Sequence, residues 1–167
     1  MSDDMKRHTG RLLTTAVSLQ QYQKRIDAMV NHAMGVVSIL NEALEHHLPN
    51  QDQYGVDDNI EVDSTERRYG WRIYAARPGV GEFSGFTGTP PEVTERQTLL
   101  VVELIFNEND RPIGYLVDTR RKRTVYKTGL LGRKQKQEIV EGDARRVPLD
   151  DDALIGAINL LIPTMPR

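Results

Sequence analysis

The chain has 167 residues, 38% hydrophobic and 28% charged, with a formal net charge of −2. That length fits one domain, and the balance is too apolar and too weakly charged for wholesale disorder. The absence of cysteine excludes disulfides, thiolate nucleophiles and zinc–thiolate centres.

No apolar run approaches the ~18 residues needed to cross a bilayer. The charged start, Met1 to His8, leads into no isolated apolar segment, so no signal peptide and no membrane partner are expected. The simplest reading is a cytoplasmic protein. The charge is unevenly spread. Met1 to Glu66 carries 5 basic and 11 acidic residues, whereas Arg111 to Val147 carries 11 basic and 4 acidic. Such segregation can mark a partner surface.

A long amphipathic helix is expected over about residues 11–48. One row of its heptad repeat is Leu12, Leu19, Ile26, Ala33, Leu40 and His47; a second is Ala16, Gln23, Val30, Val37 and Leu44. Their alternating spacing puts both rows on one helical face. A third row, Thr15, Tyr22, Met29, Val36 and Ala43, lies beside them and makes the face wider than a two-stranded seam. The helix therefore calls for cover on more than one side, by a sheet and by a second copy. Tyr22, Gln23 and Met29 are the candidate interface residues. Gln23, polar in an inner row, can set the register of a helix pair. Gly35 marks a kink or a close backbone crossing, and Pro49 ends the helix.

Residues 49–66 are polar and acidic and read as a loop, with a short strand at Ile60 to Val62. The spacing of Asp57, Asn59, Glu61 and Asp63 departs from a calcium loop, with Val62 where glycine is required and Arg68 where the final glutamate belongs. An antiparallel sheet of four to six strands is expected over about residues 69–141. Its strands are Tyr69 to Arg77, Thr98 to Phe106, Pro112 to Thr119 and Arg123 to Thr128, with a weaker one at Glu138 to Glu141. Short links suggest that the three running from Thr98 to Thr128 form successive hairpins. A terminal helix is expected over about residues 150–162, capped by Asp150 to Asp152 and ended by Pro163. The fold class is α+β: a long N-terminal helix packed on an antiparallel meander, with a short C-terminal helix.

Four features carry candidate chemistry. The glycine-rich segment Arg77 to Pro91 lacks the Lys-Ser or Lys-Thr of a phosphate loop and precedes a strand. Its Phe83 and Phe86 either fold onto the core or form a partner-binding tip. Glu103 interrupts an apolar strand. If both following turns are symmetric, Glu103, Tyr115 and Lys127 line up on one sheet face. That row is either a solvated ladder or a weak catalytic candidate. His32 reads as a satisfied core or interface histidine.

The basic segment is the strongest surface signal. Arg120, Arg121, Lys122 and Arg123 are placed at a β-turn, with Lys127, Arg133 and Lys134 close behind and Tyr126 interleaved. These seven cations are candidate contacts to nucleic acid or another anionic partner; solvated turn charge, protection of an edge strand against aggregation and pairing with the chain's own acidic segment are the alternatives. No metal or cofactor is expected. Three readings stand: a non-enzymatic protein-interaction or regulatory module, oligomeric and preferentially dimeric; a nucleic-acid-binding protein using a basic hairpin; and a small enzyme or ligand-binding domain with a pocket between sheet and helix.

Overall fold

A computed structural model describes residues 3–48, 53–63, 68–80 and 92–165. Helix α1 spans Asp3–His47, longer at its start than the heptad rows indicate. Seven strands follow: β1 Tyr54–Asp63, β2 Arg68–Val80, β3 Glu92–Phe106, β4 Pro112–Asp118, β5 Arg121–Thr128, β6 Lys134–Glu141 and β7 Ala144–Pro148. Helix α2, Asp151–Leu161, and a 3-10 turn at Ile162–Thr164 close the described chain. None of the described helices is long and apolar enough to cross a membrane.

The expected α+β class holds. A five-stranded antiparallel sheet runs β1-β2-β3-β4-β7, and β5 and β6 form a separate two-stranded ribbon. Both helices lie on one face of the sheet, α1 against β1 and β2, α2 against β4 and β7. Period-2 alternation turns Trp71 and Ile73 of β2, Leu100 and Val102 of β3, and Val117 of β4 into that layer, each at 0% exposure. They meet Met29, Val36 and Leu40 of α1 and Leu154, Ile158 and Leu161 of α2. Fully burying side chains of this size contributes roughly 1.5–3 kcal/mol each. The Asp150 carboxylate caps α2 by accepting from the Ala153 N–H at 2.9 Å.

Polar contacts tie α1 to the rest. Arg25 Nε donates to the buried Asp110 at 2.8 Å, and its guanidinium lies 5.3 Å from the Phe106 ring centre. Asp110, in the β3–β4 turn, has φ 57. His32 Nδ1 is 3.2 Å from the Tyr115 hydroxyl, and the rings meet edge to face. The histidine is therefore satisfied against the sheet. Gly35 has open space around it, so the helix makes no close crossing there.

Three sequence expectations are corrected. Most of the acidic stretch read as a loop is edge strand β1, where charge guards an exposed edge against pairing. The β4–β5 hairpin does not form: β4 pairs with β7, and β5 pairs with β6. The chain leaves the sheet at Thr119 and re-enters at Asp143, whose carbonyl accepts from the Thr119 N–H at 2.9 Å. The ribbon is thus an excursion inserted into the β4–β7 hairpin. Gly142, at φ 93, makes the re-entry, and a Cβ there would lie 2.4 Å from the Thr119 carbonyl oxygen. Finally, strand β7 has no counterpart in the expected element list.

Candidate functional site

The expected row of Glu103, Tyr115 and Lys127 does not exist. Phe106 faces Pro112, as a symmetric turn requires, but Ile105 then faces Gly114. One residue has been inserted, Ile113, and this β-bulge shifts the rest of the ladder by one. Glu103 therefore opposes Leu116, and Tyr115 opposes Leu104. A one-residue slip puts side chains on opposite faces. Tyr115 points into the helical layer at 2% exposure, where burial and then the Asp151 charge push its hydroxyl pKa up. Lys127 lies on the separate ribbon.

Glu103 faces a cleft on the opposite side of the sheet. The cleft has a volume of ≈430 Å³ and is lined by Arg68, Glu103, Leu116, Asp118, Arg120 and Lys122, among others. Arg68 grips Glu103 with Nε on Oε1 and with Nη2 on Oε2 at 2.7 Å. Burial raises the Asp118 pKa, but the Arg120 hydrogen bonds, with the Arg120 and Arg68 charges, leave it below the ordinary carboxylate value. Asp118 Oδ1 accepts from the Arg120 backbone N–H at 2.8 Å and from Nε at 3.0 Å; Oδ2 accepts from Nη2 at 2.8 Å. Further along the same face, Asp57 accepts from Arg72 at 2.7 Å and from Arg96 at 2.8 Å. Each carboxylate is already clamped by guanidinium groups, an arrangement suited to holding the surface in shape. No group of three or more His, Asp or Glu among the described residues could hold a metal ion.

The basic residues are also redistributed. Arg120 joins β4 to β5, and Arg121, Lys122 and Arg123 begin β5, so this cluster marks the root of the ribbon and not its turn. The turn is Gly129 to Arg133. The Gly129 N–H donates to the Arg133 carbonyl at 3.0 Å, and the Gly132 N–H to the Gly129 carbonyl at 2.9 Å. Arg133 is its last residue, and Lys127 and Lys134 lie on the strands either side of it. Strand β6 is exposed along its whole length and β5 at all but Val125. At the apex, Leu130 and Leu131 are 109% and 88% exposed. The basic pattern was visible in the sequence; the leucine pair was missed, because two leucines between glycines carry no periodic signal.

Of the expected interface residues, Met29 is buried in the chain's own core at 2% exposure. Tyr22 is half-buried and meets the Tyr69 ring edge to face at 6.0 Å. Gln23 is exposed and donates to Asp27 at 2.8 Å. Phe83 and Phe86 lie outside the described residues. Among the described side chains of α1, the exposed large apolar groups are Leu19 at 59%, Val30 at 61% and Met34 at 87%.

Family models, curated proteins and solved structures contain no match to this chain. The functional reading therefore rests on these surfaces.

Proposed function

We propose that the chain is a non-enzymatic interaction module, working in a cytoplasmic setting, whose long helix pairs in parallel with that of a second copy. The supporting observation is the row Leu19, Gln23, Ile26, Val30, Ala33 and Val37. It keeps alternating four- and three-residue steps, yet lies exposed or only half-buried on α1. The chain's own core takes the neighbouring row, with Met29, Val36 and Ala43 all buried, and also closes over Leu40 and Leu44, where the row ends. Alternating steps average 3.5 residues, the period that keeps a seam in contact with another helix of the same repeat. A second copy supplies that repeat. Parallel pairing sets Gln23 against Gln23, so the polar residue of the seam meets an amide and not a leucine. A non-enzymatic role suits carboxylates such as Glu103 and Asp118, whose oxygens are committed to arginines.

The test is sedimentation equilibrium of the intact chain. The expected mass is twice 19.0 kDa. Val30 is exposed, so Val30→Glu leaves the fold intact, checked by circular dichroism, and shifts the mass to a single chain. A wild-type monomer at roughly 100 μM, a concentration at which even modest self-affinity is saturated, sinks the proposal.

A further inference from the structure

We propose that the β5–β6 ribbon is a DNA-binding arm that lies in the minor groove of a duplex and wedges Leu130 and Leu131 between base pairs. The proposal stands independently of helix pairing.

The argument starts from the charge on the ribbon. Residues 121–141 hold seven basic and two acidic side chains. One acid, Glu141, faces Arg123 across 3.6 Å. Strands of eight residues run about 27 Å at ~3.4 Å per residue. Cations stand at both ends and on both faces. At the root, Arg121 and Arg123 share one face and Lys122 takes the other; near the turn, Lys127 shares the first face and Lys134 the second. A duplex groove offers a row of phosphates on either side, and cations on both faces of a ribbon can reach both rows.

The apex then selects the mode of binding. Gly132 adopts φ 70, a left-handed conformation natural to glycine, and closes the loop. The two leucines are left at the far point of the ribbon with almost no cover. Reading the major groove relies mainly on side chains that hydrogen-bond to base edges, which two leucines cannot do. An apolar tip on a basic stem is instead the combination by which minor-groove proteins unstack a base step and kink the duplex.

Two competing partners fit less well. An anionic membrane met tip-first would feel Lys127, Arg133 and Lys134, but root cations more than 20 Å away, at ~3.4 Å per residue, lie beyond the screening length of about 8 Å. In the chain's own acidic edge strand, Asp57 is already paired with Arg72 and Arg96.

The experiment uses the intact protein and a duplex of about 25 base pairs carrying a fluorophore at each end. Anisotropy reads binding, and energy transfer between the ends reads bending. Wild type is expected to bind at low salt with a steep salt dependence and to raise the transfer. Replacing Lys127, Arg133 and Lys134 together by alanine should weaken binding at least tenfold and lower the salt slope by about 2 to 3, one phosphate contact for each cation. Leu130→Ala with Leu131→Ala should keep that slope and lose the bend. All five side chains are exposed, so circular dichroism should be unchanged in both variants. No binding by wild type at 50 mM salt, binding indifferent to the three cations, or bending retained without the leucines would each overturn the proposal. So would sedimentation with phosphatidylserine vesicles in the absence of duplex binding, which would assign the arm to membranes.

Discussion

Asp118 sits where the chain leaves the sheet, and three donors from Arg120 hold its carboxylate. Because its pKa is lower folded than unfolded, the folded state keeps the charged form longer as acid is added. The stability it contributes is present above the ordinary aspartate range, near pH 3.9, and is lost as pH falls through its lower folded value. Asp118→Asn removes that component. Urea midpoints at about pH 5 and pH 3 should therefore fall less in the variant than in wild type, and equal falls would contradict the assignment. Glu103 illustrates how far a single residue can be read from sequence. Its interruption of an apolar strand was visible, and so was the turn after it. The bulge at Ile113 was not, because nothing in Pro112-Ile113-Gly114 distinguishes an inserted residue from a regular one. That one residue separates Glu103 from Tyr115, and the neighbouring strand β2 supplies Arg68 as the partner of Glu103.

At the level of elements, the helices and the apolar strands were legible because periodicity reports burial directly. Trp71 and Ile73, Leu100 and Val102, and the stripe of α2 all face the core as their spacing requires. Pairing was harder. Arg120 to Lys122 looked like a turn because it is short and charged, yet β5 follows β4 without pairing with it. The deciding contact, Thr119 with Asp143, joins residues far apart in sequence, and β7, Ala-Arg-Arg-Val-Pro, is too short and basic to announce itself. This topology has a direct consequence. The sheet does not need the ribbon, since β4 and β7 already form a hairpin whose ends meet at Thr119 and Asp143. Replacing residues 120–142 by Asn-Gly, a strong two-residue hairpin turn, should leave a folded protein with one cooperative thermal transition. Loss of that transition would show that the ribbon is part of the core structure after all.

For the whole molecule, the account is of a scaffold with one finished face and two unfinished surfaces. The sheet and both helices bury a continuous core, and the clamped carboxylates on the opposite face hold the surface of the sheet in shape. Among the described residues, an exposed to half-buried heptad row on α1 and a basic arm with an apolar tip stand out from this scaffold. The sequence already showed the heptads and the segregated charge. It could not show which of three helical rows the sheet would take, because Tyr22, Met29 and Val36 are as apolar as the rows beside them. In the structure the core takes that third row together with Leu40 and Leu44 at the end of the other two, and the stretch left over, Leu19 to Val37, has the spacing of a helix pair. The absence of cysteine makes this testable with little ambiguity. In a parallel, in-register pair, residue 30 of one copy faces residue 30 of the other across the seam, within reach of a disulfide, whose Cα atoms stand about 4.4–6.8 Å apart. Ser38 is exposed on a different side of the helix. Under mild oxidation Val30→Cys should form a covalent dimer, and Ser38→Cys should not. Equal cross-linking of both, or of neither, would contradict the helix pair.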